Sequence, residues 1–150
     1  MVDIVGPDVR SRMMSRIRGK NTQPEMVVRR ILFGAGYRYR LHRKDLPGVP
    51  DIVMSGLRVV IFVHGCFWHM HRDCALSKLP GTRQEFWKRK LEGNVERDRR
   101  NVQRLLDEGW RVVVVWECAT RHEDPDGRLA EALLGWVRGC ATYGEISGGA

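Results

Sequence analysis

Two short apolar runs each end beside potential metal donors. Val59 to Val63 leads into His64-Gly65-Cys66-Phe67-Trp68-His69-Met70-His71-Arg72-Asp73-Cys74, and Val112 to Trp116 leads into Glu117-Cys118. Such runs suit strands buried on both faces of a sheet, and they fall far short of the roughly 20 residues that a membrane span requires. Two strands ending at the same sheet edge would bring Cys118 to the first cluster, where Cys66, His71, Cys74 and Cys118 make a Cys₃His set. Zinc takes four such donors in a tetrahedron. The spacing is not a standard finger pattern, so buried thiols beside surface histidines, or disulfides among Cys66, Cys74, Cys118 and Cys140, are the alternatives. The opening Met1-Val2-Asp3-Ile4-Val5-Gly6-Pro7 has neither the basic start nor the apolar stretch of a secretory signal, so a cytoplasmic setting is expected and disulfides are disfavoured. Cys140, in a Gly-rich tail, reads as a spare thiol.

Around these strands the chain of 150 residues reads as one domain, 1–150. Thr22-Gln23-Pro24-Glu25 has the form of a capping box, and Met26 to Phe33 continue a helix that Gly34 and Gly36 stop. Tyr37 to Leu41 alternates with period two and predicts a strand with one wet face. Asp51 to Met54 predicts a second strand, Ser55-Gly56 a turn, and Leu57 to Val63 the middle strand of a sheet. Thr82-Arg83-Gln84-Glu85 resembles a second capping box, opening a helical stretch that hesitates at Gly93 and runs to Gly109. A strand over Trp110 to Trp116 and an amphipathic helix over Leu129 to Val137 follow, with 141–150 expected to be a flexible tail. The fold class is α/β, a mixed sheet covered by helices.

Lys and Arg number 26 against 18 Asp and Glu, a formal charge of +8. A polyanionic partner follows, nucleic acid first and an anionic membrane surface second. The excess is concentrated in an N-terminal arm, 1–20, where Arg10, Arg12, Arg16, Arg18 and Lys20 surround Met13, Met14 and Ile17 without an acid between them. At helical spacing Met13 or Met14 lies beside Ile17, giving a basic amphipathic helix that could dock on the core, lie on a membrane, or press apolar wedges against DNA.

Asp51 heads the hairpin strand next to Leu57–Val63, so Asp51 and the end of that strand, with His64 and His69 beyond it, could share one end of the sheet. A carboxylate with two histidines suits hard-cation binding and proton transfer, because oxygen donors hold Mg²⁺ and imidazole titrates near neutrality. The structural alternatives are an aspartate capping a turn after Pro50 and histidines supporting the cysteine site.

Taken in order, Pro50-Asp51, Val60-Ile61-Phe62-Val63-His64-Gly65-Cys66-Phe67-Trp68-His69, Thr82-Arg83-Gln84-Glu85-Phe86-Trp87, Asn94-Val95-Glu96-Arg97-Asp98-Arg99-Arg100, and the stretch from Gly109-Trp110 to Glu117-Cys118 resemble the very-short-patch-repair (Vsr) DNA mismatch endonucleases. The resemblance spans nearly the whole chain. It implies a restriction-endonuclease-like sheet flanked by helices, a structural Zn²⁺ site, and Mg²⁺-dependent nicking 5′ to the thymine of a T·G mismatch left by 5-methylcytosine deamination.

Residue by residue, the resemblance implies that Asp51 holds Mg²⁺ together with the backbone carbonyl of Val63. His69 falls where the attacking water is activated, with His64 and Asp98 in support and Glu25 reaching the site from the N-terminal region. Local chemistry offers plainer roles for two of these: a capping-box glutamate at Glu25, and a helix-surface ion pair for Asp98 among Arg97, Arg99 and Arg100. The wider restriction-like pattern of Glu-x-Lys is replaced by Phe62-Val63-His64, as in the Vsr branch, so no lysine role transfers. Phe67, Trp68 and Trp87 match an aromatic wedge on the major-groove side, and Met14 and Ile17 a minor-groove contact. Lys90 and Asn94, four apart on a helix, could present a donor and an amide to base edges. Burial in the core is the alternative for each aromatic.

The implied partner is double-stranded DNA with a T·G mismatch, with mismatch-repair proteins as further contacts. A nick needs only one active site, so a monomer is expected. The competing classes are a zinc-containing DNA-binding module without catalysis and a restriction-type nuclease acting on matched sites.

Overall fold

The computed structural model describes residues 21–121 and 125–148. Met14 and Ile17, and the arm that carries them, lie outside the described residues. The described elements are α1 (Gln23–Gly34), β1 (Arg40–Leu41), β2 (Ile52–Met54), β3 (Val59–His64), α2 (Gln84–Asp107), β4 (Arg111–Trp116), α3 (Pro125–Arg138) and β5 (Tyr143–Ile146). The sheet order is β1-β2-β3-β4-β5. β1, β2 and β3 form an antiparallel meander, while β4 and β5 run parallel to their neighbours after the α2 and α3 crossovers. Among the described residues no helix is long and apolar enough to cross a membrane.

The uninterrupted apolar character of β3 and β4 follows from their central position, because both faces are covered. Val59, Ile61, Val113 and Val115 pack with Val28 and Leu32 of α1 and Leu129 and Leu133 of α3. Val60, Phe62, Val112 and Val114 pack on the opposite face with Leu105 of α2 and with Trp110. Each fully buried aliphatic side chain stabilises such a layer by roughly 1.5–3 kcal/mol. The mixed α/β sheet expected from the sequence is present, with α1 and α3 on one face and α2 on the other.

Four local expectations are corrected. The strand predicted over Tyr37 to Leu41 pairs only at Arg40 and Leu41, although its alternation is kept, with Tyr37 and Tyr39 packed on the core and Arg38 and Arg40 exposed. The capping box at Thr82 does not form: Arg83 is the N-cap with φ +55° and no side-chain cap, and its guanidinium lies 4.2 Å over the Phe86 ring. The helix does not hesitate at Gly93, running unbroken from Gln84 to Asp107. Beyond it Gly109, at φ +88°, allows Trp110 N–H to close on Leu105 O at 3.0 Å.

The tail is the fourth correction. Residues 143–146 of the segment expected to be flexible form an edge strand paired with Val112 to Val115. Its glycine has a steric purpose, since a Cβ at Gly144 would stand 2.4 Å from Trp136 Nε1. Arg111 clamps the approach, donating to the carbonyls of Trp136 (2.8 Å), Val137 (3.1 Å) and Ala141 (2.8 Å). Four residues with one glycine carry little strand signal of their own, and β4 supplies the pairing.

Candidate active site and metal centre

The hairpin register sets Ile52 opposite Ile61, which brings Asp51 to the last residues of β3. Val63 N–H donates to Asp51 Oδ2 at 2.7 Å. Burial nonetheless pushes the Asp51 carboxyl up to about 7, with the Val63 bond opposing and the nearby Glu25 charge adding to the rise. A carboxyl so removed from water gains from a cation beside it.

Glu25 enters this neighbourhood from α1. Its backbone N–H donates to the capping Thr22 Oγ1 at 3.3 Å, but the carboxylate does not return to close a capping box. It turns inward, 1% exposed, onto Arg29 of the same helix and His42. Glu25, His42 and Asp51 place ligand atoms within 4.8 Å of one another.

A second group follows β3 directly. His64 is buried, and burial, then the neighbouring His69, pushes its imidazole well below its ordinary value, keeping it neutral. It stacks on His69 at 3.8 Å and 4°. His69 Nδ1 lies 2.5 Å from Asp98 Oδ2 of α2. Asp98 thus faces the site, while the surface ion pair on this stretch of helix is Arg99 with Glu96. Beside the pair lies a cavity of about 240 Å³ lined by Trp68, His69, Asn94, Arg97, Asp98 and Asn101. Tying Nδ1 to a carboxylate fixes the ring and its tautomer, leaving Nε2 to take a proton.

Cys66, His71, Cys74 and Cys118 converge with ligand atoms within 4.8 Å and could hold a metal ion. His71 Nδ1 is 3.5 Å from both Cys66 Sγ and Cys118 Sγ. Surrounding donors support the sulfurs: Cys118 N–H to Cys66 Sγ at 3.4 Å, and Gly148 N–H to Cys118 Sγ at 3.1 Å. Glu117 Oε1 accepts from Cys66 N–H at 3.2 Å, and His71 stacks on Trp116 at 4.1 Å. All four cysteines are free thiols, and Cys140 is exposed outside the cluster.

Phe67, Trp68 and Trp87 belong to neither core layer. They form a half-buried aromatic cluster with ring separations of 5.0, 5.6 and 6.0 Å. Asn94 Nδ2 donates to Trp68 O at 3.0 Å, and Arg97 donates to Asn94 Oδ1. Its amide therefore ties the aromatic loop to α2. Lys90 is exposed on that helix and does not line the cavity.

Sequence reasoning missed His42, Arg29, Arg97, Asn101 and Glu117. Arg97 and Glu117 sit inside motifs already singled out. His42 carried no local signal, because its partners are 17 residues before it and nine after it.

A sequence model of DNA mismatch endonuclease Vsr matches residues 2–76. The DNA mismatch endonuclease Vsr of Escherichia coli (strain K12) is 45% identical over 148 residues, covering 97% of this chain and 94% of the relative. The type II nicking enzyme V.XorIIP of Xanthomonas oryzae pv. oryzae is 52% identical over 118 residues, 79% of this chain and 86% of the relative. V.NmeAIP, a type II nicking enzyme of Neisseria meningitidis serogroup A, is 42% identical over 123 residues, 82% and 87% of the two chains. With identity of this extent over a fold that gathers Asp51, His64, His69 and Asp98 at one end of the sheet, the chain belongs to the Vsr family of DNA mismatch endonucleases.

Proposed function

We propose that this protein nicks one DNA strand 5′ to the thymine of a T·G mismatch arising from 5-methylcytosine deamination, initiating very short patch repair with catalytic Mg²⁺ and structural Zn²⁺. The observation that carries the reading is the junction at the end of β3, where the half-buried Asp51 carboxylate is bonded to Val63 and the next residue, His64, stacks on the His69–Asp98 pair. Family membership supports DNA cleavage by hydrolysis.

Asp51 and the Val63 carbonyl would hold Mg²⁺, two hard oxygen donors for a hard cation. Bound there, the cation would supply charge neutralisation at the scissile phosphate. His69 removes a proton from the attacking water through Nε2 while Asp98 holds Nδ1. Neutral His64 buttresses the His69 ring without competing charge, and Glu25 adds negative potential beside Asp51.

The Cys₃His set fits zinc. With Zn–S about 2.3 Å and Zn–N about 2.0 Å, tetrahedral ligation sets sulfur and nitrogen about 3.5 Å apart, the separation of His71 Nδ1 from Cys66 and Cys118. The aromatic cluster of Phe67, Trp68 and Trp87 supports mismatch selection, because a wobble pair stacks less firmly and yields more easily to a wedge. Lys90 would reach a base edge, and Met14 and Ile17 would press on the minor groove.

The test is nicking of otherwise identical T·G and matched duplexes with and without Mg²⁺. Cleavage confined to the thymine strand of the mismatch, and requiring Mg²⁺, supports the reading. Equal cleavage of both duplexes favours a restriction-type nuclease, and binding without cleavage favours a DNA-binding module.

A further inference from the structure

His42 touches both acids of the site by different parts of the same residue. Its backbone N–H donates to the Asp51 carbonyl at 3.1 Å, and its imidazole Nε2 lies 2.8 Å from Glu25 Oε2. The residue sits just past β1 at φ +48°, a left-handed conformation uncommon for a residue with a Cβ. That turn directs the side chain of an edge strand inward, where it is 12% exposed. Nε2 is shielded from solvent and, despite its closeness to Glu25, is not aligned for a hydrogen bond. The imidazole is therefore a prop against one oxygen of Glu25, with Arg29 against the same oxygen. Left alone, two carboxylates whose oxygens come within 4.8 Å would repel and separate.

We propose that His42 is a positioning residue of the nuclease site, holding the Glu25 carboxylate against Asp51 and thereby setting how tightly the site binds its divalent cation. The inference rests on the reading of Asp51 as the cation-holding residue and goes beyond it by assigning affinity to a residue outside the first contacts. Residues that orient a metal site in this way typically change metal affinity about 10–100-fold when removed.

The experiment uses the full-length zinc-loaded protein and His42→Asn, since asparagine tolerates the left-handed backbone but is too short to reach Glu25. Mn²⁺ binding is measured without DNA by electron paramagnetic resonance, and nicking is titrated with Mg²⁺. The expected result is Mn²⁺ affinity and half-saturating Mg²⁺ both weakened about 10-fold or more. The nicking rate at saturating Mg²⁺ should stay within a few-fold, as should DNA affinity in EDTA. A second variant, His42→Gly, should regain tighter Mn²⁺ binding when free imidazole is added. Unchanged Mn²⁺ affinity in folded His42→Asn overturns the proposal, as does a fall in the saturated rate with no change in cation affinity. Should His42→Asn fail to fold, the imidazole response of His42→Gly decides. If Asp51→Ala binds Mn²⁺ like the unaltered protein, the parent reading of the cation site is what fails.

Discussion

Asp98 Oδ2 lies 2.5 Å from His69 Nδ1 although the two residues are 29 positions apart, one on α2 and the other in the loop after β3. The carboxylate does for His69 what no neighbour in its own loop can do, fixing the ring while the stacked His64 limits its tilt. His69→Ala should lower nicking about 10²–10⁴-fold, the usual loss for a general base. Asp98→Asn should fall less far, because the ring keeps its place but not its tautomer. Both should retain DNA affinity, measured by gel shift with EDTA present; a loss of binding equal to the loss of rate would remove the base assignment.

Asp51 makes stability depend on pH in a defined direction. Its carboxyl is raised from 3.8 to about 7 in the folded protein, so between those values the folded state holds a proton that the unfolded state has lost. Stability therefore falls as pH rises through that window. The full shift is worth at most about 4 kcal/mol, less here because solvent reaches part of the residue. Asp51→Asn should flatten the decline and raise stability at pH 8 with no Mg²⁺ added, while abolishing nicking. Urea denaturation at several pH values checks this, and parallel curves for both proteins would contradict it.

The cysteine cluster couples metal to folding. One zinc per chain should survive dialysis, and Cys66→Ala or Cys118→Ala should lose both the zinc and the cooperative unfolding transition, since metal binding free energy becomes folding free energy. Metal analysis with circular dichroism tests both halves. A folded sample without zinc would dismiss the site.

Trp68 and Trp87 test mismatch selection apart from chemistry. Replacing either with Ala should reduce the preference for T·G over matched duplex, with affinity for matched duplex changed little. Aromatic stacking on bases is worth about 1–3 kcal/mol, so the preference should drop roughly 5- to 150-fold in competition binding. Unaltered discrimination would return both rings to a purely structural role.

Deleting residues 1–20 removes the arginines flanking Met14 and Ile17. DNA affinity and its salt dependence should both decrease, because phosphate contacts release counterions, while the thermal transition of the core persists. An unchanged slope of affinity against salt would count against the arm as a DNA contact.

Several features follow from chain-local chemistry. The runs Val59 to Val63 and Val112 to Trp116 announce central strands because a residue row buried on both faces must be apolar throughout, and both are buried centrally. The donors after β3 and at Cys118 likewise identify a metal-competent cluster once the strands are parallel and end together. What the tertiary structure decided are pairings between distant segments. Thr22-Gln23-Pro24-Glu25 is a capping box by its letters, yet Glu25 turns inward because Arg29 and His42 receive it there. Asp98 could have paired with its arginine neighbours, but α2 crosses the sheet with that face over His69. β5 exists because β4 offers an unpaired edge and Arg111 brings the chain back to it. Helix and strand periodicities depend on residues a few positions apart and are legible in one dimension. The orientation of Glu25, Asp98 and His42 depends on sheet register and crossover geometry, which exist only once the layers have packed.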